Sequence, residues 1–260
     1  MFSSLWHFRG FIWNSVLRDQ QLRYRRSALG ILWTIAQPLA LILIYSVVFG
    51  RVMRHPGMGE GVFDYPVYLC SGILTWSLFS DVLSRLTTVF NDNAHLLRKV
   101  QLPKLSFPVI AVGACLLNFA MVMAVFLVFL ILVGRVPGIS LLGLLPVVAV
   151  QVAFALGLGV VLGSVNVFFR DVQQALGIAL QLWFWLTPIV YVPSILSERT
   201  LALLSWNPMW PVMAAYRDIF LNNQWPDWVT LLYPAALSVL LLAAGFVVFK
   251  RLQHDILDEV

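Results

Sequence analysis

Groups able to do covalent or proton chemistry are few and far apart in this sequence. The four histidines (His7, His55, His95 and His254) are widely scattered, and none has metal-ligand spacing. Cys70 and Cys115 both fall inside apolar runs and read as buried thiols without a disulfide framework. No G-x-x-x-x-G-K-[ST] loop occurs, so the chain cannot bind nucleotide in the P-loop manner, and H-E-x-x-H and G-x-S-x-G are equally missing. Asp81 and Arg85, four apart near the end of an apolar run, are either an interfacial helix pair or part of a proton relay, and the spacing favours the pair. Residues suited to binding are better represented. Arg23, Arg25 and Arg26 crowd the lip of the first apolar run, where they orient the chain or dock something. Trp183, Phe184, Trp185 and Tyr191 crowd a second stretch, and Trp33, Tyr45, Tyr68 and Trp76 add aromatics elsewhere. Such rings form a belt at the bilayer edge, or offer flat faces on which sugar rings slide without many directional bonds.

Composition identifies the scaffold that must position these residues. Of 260 residues, 60% are hydrophobic and only 11% charged, against about 25% charged in a soluble domain. The class is an all-α integral membrane protein. The net charge of +5 then reflects a positive-inside bias rather than nucleic acid. The first apolar run is too long for a signal peptide and is followed by no small-residue cleavage site.

A spanning helix needs ~20 mostly apolar residues, so uncharged intervals partition the chain into six expected spans. They run from about Leu32 to Phe49; from Tyr65 past Asp81, with that carboxylate turned into the bundle; from Leu105 to Gly134; from Leu144 to Phe168; from Val172 to Ser197, ending near Pro188 and Pro193; and from Trp228 to Phe249. Thr200 to Tyr216 is also uncharged, but it is short and holds Pro208 and Pro211. It reads as a partly inserted outer hairpin, because non-helical backbone at depth must be shielded by protein or face water. Ala155, Gly159 and Gly163 repeat four apart in the fourth span, a spacing for close packing inside the subunit.

With the N-terminus inside, twelve Lys and Arg fall on the inner side and five on the outer, so both termini are expected in the cytoplasm. Before the first span, Ser3, His7, Asn14, Arg18, Gln21 and Arg25 make a polar stripe opposite Phe2, Trp6, Trp13, Leu17 and Tyr24. Such a helix lies in the membrane interface. In the inner loop NDNAHLLRKVQLPKLSFP, Asn91, Asp92 or Asn93 can cap a short helix whose last turn holds Arg98 and Lys99. It suits a groove on a soluble partner, or it lies on the lipid surface. Arg170 and Asp171 in NVFFRDV are the only charges between two long spans, which places that turn at the inner surface.

Taken in order, LRYRRSALGILWTIAQPL, LLRKVQLPKLSFPV, NVFFRDV, WFWLTPIVY and NPMWPVMAAYRDIFL resemble the membrane subunit of bacterial ABC-2 type polysaccharide exporters, the permeases for O-antigen, capsule and teichoic acid. The likeness runs from about Phe11 to Lys250. It implies a homodimer in the bacterial inner membrane, paired with two copies of a separate P-loop ATPase that holds ATP and magnesium, with no cofactor in this chain and no nucleic-acid partner. The cargo it implies is a polysaccharide, often linked to undecaprenyl diphosphate. The implied organisation is an interface helix over residues 1–30, a six-helix domain over 31–250 with a coupling loop at 90–107 and an outer hairpin at 194–228, and a short cytoplasmic tail at 251–260. The ATPase would receive Asn93, His95, Leu96, Leu97, Arg98, Lys99, Val100, Arg170 and Asp171. The eight aromatics above would line the sugar path, and Arg23, Arg25 and Arg26 would meet lipid headgroups or carrier diphosphate, which suit guanidinium geometry.

The nearest alternative is an ABC-2 exporter of a smaller lipid or drug. A glycan-processing enzyme would need buried acids or nucleophiles that the chain lacks. A scaffold would explain the basic inner face but not the broken outer hairpin.

Overall fold

A computed structural model of the chain describes residues 8–24, 63–99 and 103–253, with Trp6, Ala36, Ala40, Leu43 and Ile44 besides; the side chains of residues 22–24 and 97–99 fall outside that description. Every regular element among the described residues is helical. In order they are α1 (Arg9–Tyr24), α2 (Asp64–Asp92), α3 (Ala94–Lys99), α4 (Ser106–Leu132), α5 (Leu144–Phe168), α6 (Asp171–Trp185), α7 (Glu198–Leu204), α8 (Met209–Phe220) and α9 (Trp228–Leu252), with 3-10 turns at Ile139–Gly143 and Pro193–Ile195.

Four of these segments are long and apolar enough to cross a membrane: α2, α4, α5 with its preceding turn, and α9. They correspond to the second, third, fourth and sixth expected spans. Of the first, Leu32–Phe49, only Ala36, Ala40, Leu43 and Ile44 are among the described residues. Local chemistry sets several ends. The α4 helix closes on Gly134, whose φ of +82° suits a residue without a Cβ. There the N–H groups of Gly134 and Arg135 donate back to the carbonyls of Ile131 and Leu130 at 3.0 and 2.8 Å, a Schellman motif. The α9 helix begins where the Asp227 carboxylate accepts the Val229 N–H at 3.0 Å.

The α2 helix is the centre of the bundle, buried over most of its length between α4, α5, α6 and α8. Small residues let α5 press against two neighbours at once. A Cβ on Gly163 would sit 2.3 Å from the Leu86 carbonyl oxygen of α2, and one on Gly157 would sit 2.6 Å from the Leu241 backbone of α9. The Ala155–Gly159–Gly163 stripe therefore packs inside the subunit, on α2.

The fifth span closes within its uncharged run: α6 stops at Trp185 after 15 residues, close to Pro188, where an end was expected. At 1.5 Å per residue it is roughly 22 Å long, short of a hydrocarbon core of about 30 Å. Pro188 ends it, since proline offers no N–H to the ladder and restricts the residue before it. Next, α2 does continue past Asp81, but that carboxylate is exposed on the surface of the chain, not turned inward. Arg85 binds Asp19 of α1 at 2.8 Å instead of Asp81. In α1, Val16, beside the expected apolar side, and Gln20 go inside, Val16 against Gly113 and Gln20 Nε2 donating to the Ala114 carbonyl at 3.0 Å, while Trp13 and Leu17 of that apolar side are exposed, as is Trp6 ahead of the helix.

Candidate functional site

The two ends of the bundle carry different chemistry. At one end the chain gathers the close of α2, the short α3, the start of α4, the α5–α6 turn and the close of α9. Hydrogen bonds tie these pieces together. Asn91 Nδ2 donates to the Asn166 carbonyl at 3.2 Å, and Asn166 Oδ1 accepts the Gln173 N–H at 3.1 Å, which satisfies a free donor in the first turn of α6. Lys104 Nζ donates to the Gln253 carbonyl at 2.6 Å, joining the start of α4 to the end of α9. Phe169, Arg170 and Asp171 are exposed on this end, as are His95 and Leu96 of α3. Beside α3 lies a cleft of about 730 Å³ between α1, α2 and α4, with Arg18, Asp19, Arg85 and Asp92 on its polar wall and Phe11, Leu96 and Phe107 on its apolar one.

At the other end α6 gives out, and its broken continuation is held by side chains from α2 and α8. The Tyr65 hydroxyl donates to the Val190 carbonyl at 2.8 Å, and the Tyr68 hydroxyl to the Tyr191 carbonyl at 2.8 Å and the Pro188 carbonyl at 3.3 Å. Arg217 Nη2 donates to the carbonyls of Pro188 and Ile189. Four consecutive carbonyls, 188 to 191, are thus capped without a helix to do it, as backbone away from water requires. The Arg217 guanidinium also lies 3.6 Å from the centroid of the Tyr68 ring, a cation–π contact. Burial lowers Arg217 to about 10, with Tyr68 and Tyr191 acting in the opposite direction, so it remains a cation at neutral pH. Among the described residues no carboxylate forms an ion pair with it.

The α8 helix is anchored a second time in mid-bundle. The Tyr216 hydroxyl donates to Gln151 Oε1 at 2.8 Å, and Gln151 Nε2 donates to the Thr75 carbonyl at 2.6 Å, so α8, α5 and α2 share one buried chain of bonds. The turn after α8 is fixed too. Asn223, with φ +51°, accepts the Gly138 N–H and the Ser140 hydroxyl through Oδ1 at 2.9 and 2.8 Å.

Residues 11–221 match the ABC-2 type transporter family. The chain belongs to the ABC-2 type transporter family. It is 32% identical over 258 residues to an O-antigen export system permease protein of Myxococcus xanthus, covering 98% of this chain and 97% of the relative. An O-antigen export system permease protein of Klebsiella pneumoniae is 29% identical over 91% of this chain and 90% of its own length. A polysialic acid transport protein of Escherichia coli is 23% identical over 94% and 93%. With its apolar helices, this ABC-2 chain is a multi-pass membrane protein.

The expected site residues of the ABC-2 chain fall into three groups. Arg25, Arg26, Trp33, Tyr45 and Val100 lie outside the described residues, as do the side chains of Arg23, Leu97, Arg98 and Lys99. Asn93, His95 and Leu96 follow α2, and the Asn91–Asn166 bond brings the turn that holds Arg170 and Asp171 to the same end of the bundle, with Asn93 half-buried and the other four exposed. The remaining aromatics separate. Tyr68 and Trp76 are buried, and Trp183 and Phe184 pack against Trp76, with Trp183 also edge-on to Phe79 and Phe154. In the single chain those rings have protein on their faces. Trp185 is 60% exposed, and Tyr191 is half-exposed beside it, its hydroxyl donating to the Trp185 carbonyl at 3.0 Å. Sequence reasoning passed over Gln151, Asn166, Asn207 and Arg217 as actors. Asn207 and Arg217 stood inside the NPMWPVMAAYRDIFL motif, and Asn166 opened NVFFRDV, so a polar residue in an apolar motif was the available signal.

Proposed function

We propose that the chain is the channel-forming permease subunit of an ATP-driven transporter that exports a polysaccharide of the O-antigen type across the bacterial inner membrane. The observation that carries this reading is the similarity, from end to end, to an O-antigen export permease. Two copies of the chain, each with six spans and both termini in the cytoplasm, enclose the path. The first and fifth segments would supply its wall. The cargo is linked to undecaprenyl diphosphate, and a separate P-loop ATPase in two copies supplies the energy.

In this reading the α3 end of the bundle faces the cytoplasm. Twelve of seventeen Lys and Arg residues on the inner side support that orientation. The ATPase seats α3 together with Arg170 and Asp171; the exposure of these residues and the Asn91–Asn166 bond between the two segments support that reading. Arg23, Arg25 and Arg26 meet phosphate, of headgroups or of the carrier. The sugar path narrows, among the described aromatics, to the ledge of Trp185 and Tyr191, because Tyr68 and Trp76 are buried and the half-buried Trp183 and Phe184 pack against Trp76. That occupancy removes part of the aromatic argument for glycans over a smaller lipid or drug, so the substrate class rests on the relatives.

The deciding experiment is deletion of the gene followed by localisation of surface polysaccharide. Glycan trapped in the cytoplasm is the expected result, and normal surface display rejects the export reading. Capture of a P-loop ATPase by the intact chain, lost on altering Leu96 to Val100, tests the coupling surface. Replacing Arg23, Arg25 and Arg26 by Gln tests phosphate contact: carrier-lipid binding and export should fall with topology preserved, and unchanged values reject it.

A further inference from the structure

We propose that Arg217 is the positioning residue of the exposed aromatic ledge, holding Trp185 and Tyr191 in place for glycan passage by clamping the broken end of α6 against α2. The proposal rests on the reading of that ledge as part of the sugar path.

The geometry singles out Arg217 among the residues at this joint. Its guanidinium reaches three things at once: the carbonyls of Pro188 and Ile189, and the face of Tyr68. Tyr68 in turn donates to the carbonyls of Pro188 and Tyr191. Trp185 lies just before the clamped carbonyls and Tyr191 just after, and the two are tied to each other by the Tyr191 hydroxyl. A shift of the clamp therefore moves both ledge rings together. Cation chemistry is needed here, not bulk. The carbonyls of Pro188 and Ile189 lie beyond the end of α6 with no helix to satisfy them, and a guanidinium bonds both while its flat face lies over a ring, a geometry that an ammonium matches only in part. The clamp is also fixed from behind. Tyr216, the neighbour of Arg217 on α8, is fully buried and bonded to Gln151. Gly72 of α2 faces the same joint: a Cβ there would stand 3.2 Å from Met213 Sδ and 3.4 Å from both Arg217 Nη2 and Ile189 Cγ2. Arg217 Nε is sealed from solvent with no acceptor, so the side chain is held for what its other nitrogens do.

The test reads position and transport separately, in the intact transporter with its ATPase. Ile189 is fully buried behind the clamp. In a background with Cys70→Ala and Cys115→Ala, Ile189→Cys reports that burial through a membrane-impermeant maleimide added to spheroplasts. Transport is read as polysaccharide appearing on the surface of the host. With Arg217 intact, Cys at 189 should stay unlabelled. Arg217→Met should expose it and lower the export rate roughly tenfold or more, the scale of losing charge-assisted hydrogen bonds. Arg217→Lys should restore part of both, and Tyr68→Phe, which removes two capping bonds but keeps the ring, should give a smaller change of the same kind. Variants are compared at equal amounts in the membrane and equal capture of the ATPase. Protection at 189 with normal export in Arg217→Met overturns the proposal, and so does lost export with protection retained. Labelling with normal export overturns the ledge's place in the sugar path and leaves the clamp standing.

Discussion

Asn207 Oδ1 accepts the indole N–H of Trp183 at 2.9 Å, across the joint where the chain passes from α6 toward α8. The same oxygen accepts the Met209 N–H at 3.0 Å, and Asn207 Nδ2 donates to Thr187 Oγ1 at 2.9 Å and the Leu186 carbonyl at 3.2 Å. One amide thus supplies a donor bond at the start of α8 and binds the end of α6.

Replacing that amide should loosen the joint more than replacing its partner. Asn207→Ala takes the acceptor from an indole N–H and a backbone N–H together, both part-buried, at about 0.5–1.5 kcal/mol for each bond lost. Trp183→Phe removes only one of the bonds. Thermal unfolding in detergent should therefore fall further for Asn207→Ala, and equal shifts for the two would show that Asn207 does not integrate the joint.

The Tyr216–Gln151–Thr75 chain calls for a double-mutant cycle. Tyr216→Phe and Gln151→Leu each leave a buried polar atom alone and should each cost about 1–3 kcal/mol. Together they should cost clearly less than the sum, because the second change removes the atom stranded by the first. Simple additivity would mean that the two side chains do not work as a pair.

The glycines separate cleanly by what surrounds them. Gly163→Ala would drive a methyl to 2.3 Å from the Leu86 carbonyl oxygen and should force α5 off α2, with overpacking costs of about 1–3 kcal/mol. Gly177→Ala on α6 meets nothing within 4 Å and should be neutral or stabilise by roughly 0.5–1 kcal/mol through helix propensity. Monodisperse protein remaining after a heat step ranks the two, and reversal of the order would contradict the packing of α5 on α2.

The seat of α1 depends on Asp19, not Asp81. Asp19→Asn removes the bond to Arg85 and should speed amide hydrogen exchange in α1, modestly, since partly exposed ion pairs contribute about 0.2–1 kcal/mol. Asp81→Asn should leave α1 unchanged. Faster exchange in Asp81→Asn alone would restore the i, i+4 pairing within α2.

The long spans could be read from charge-free length because a helix of about 20 apolar residues needs little more than composition to declare itself. The fourth span, Leu144–Phe168, appears with the expected bounds. The fifth could be read only to its proline break, because Leu186 to Val192 is as apolar as a span yet forms a turn, capped by Tyr65 and Tyr68 from more than a hundred residues away. Spacing suggested the wrong partner for Arg85, since a local i, i+4 contact and a distant one from α1 are indistinguishable in sequence. Aromatic rings raised the same difficulty. Trp76 and Trp185 are one residue type with opposite fates, one at 8% exposure and one at 60%, and only the packing of α2 on α6 separates them.

The α7 segment has no buried residue: its Leu203 and the nearby Trp206 keep 75% and 76% of their surface open. By contrast α8, immediately after it, is sealed through Met209, Met213 and Tyr216. Swinging α7 aside would uncover almost none of the interior, whereas shifting α8 would tear a polar chain and an apolar seam together. The broken end of the bundle therefore sets a helix locked on every side, α8, directly beside one that the interior does not hold, Glu198–Leu204.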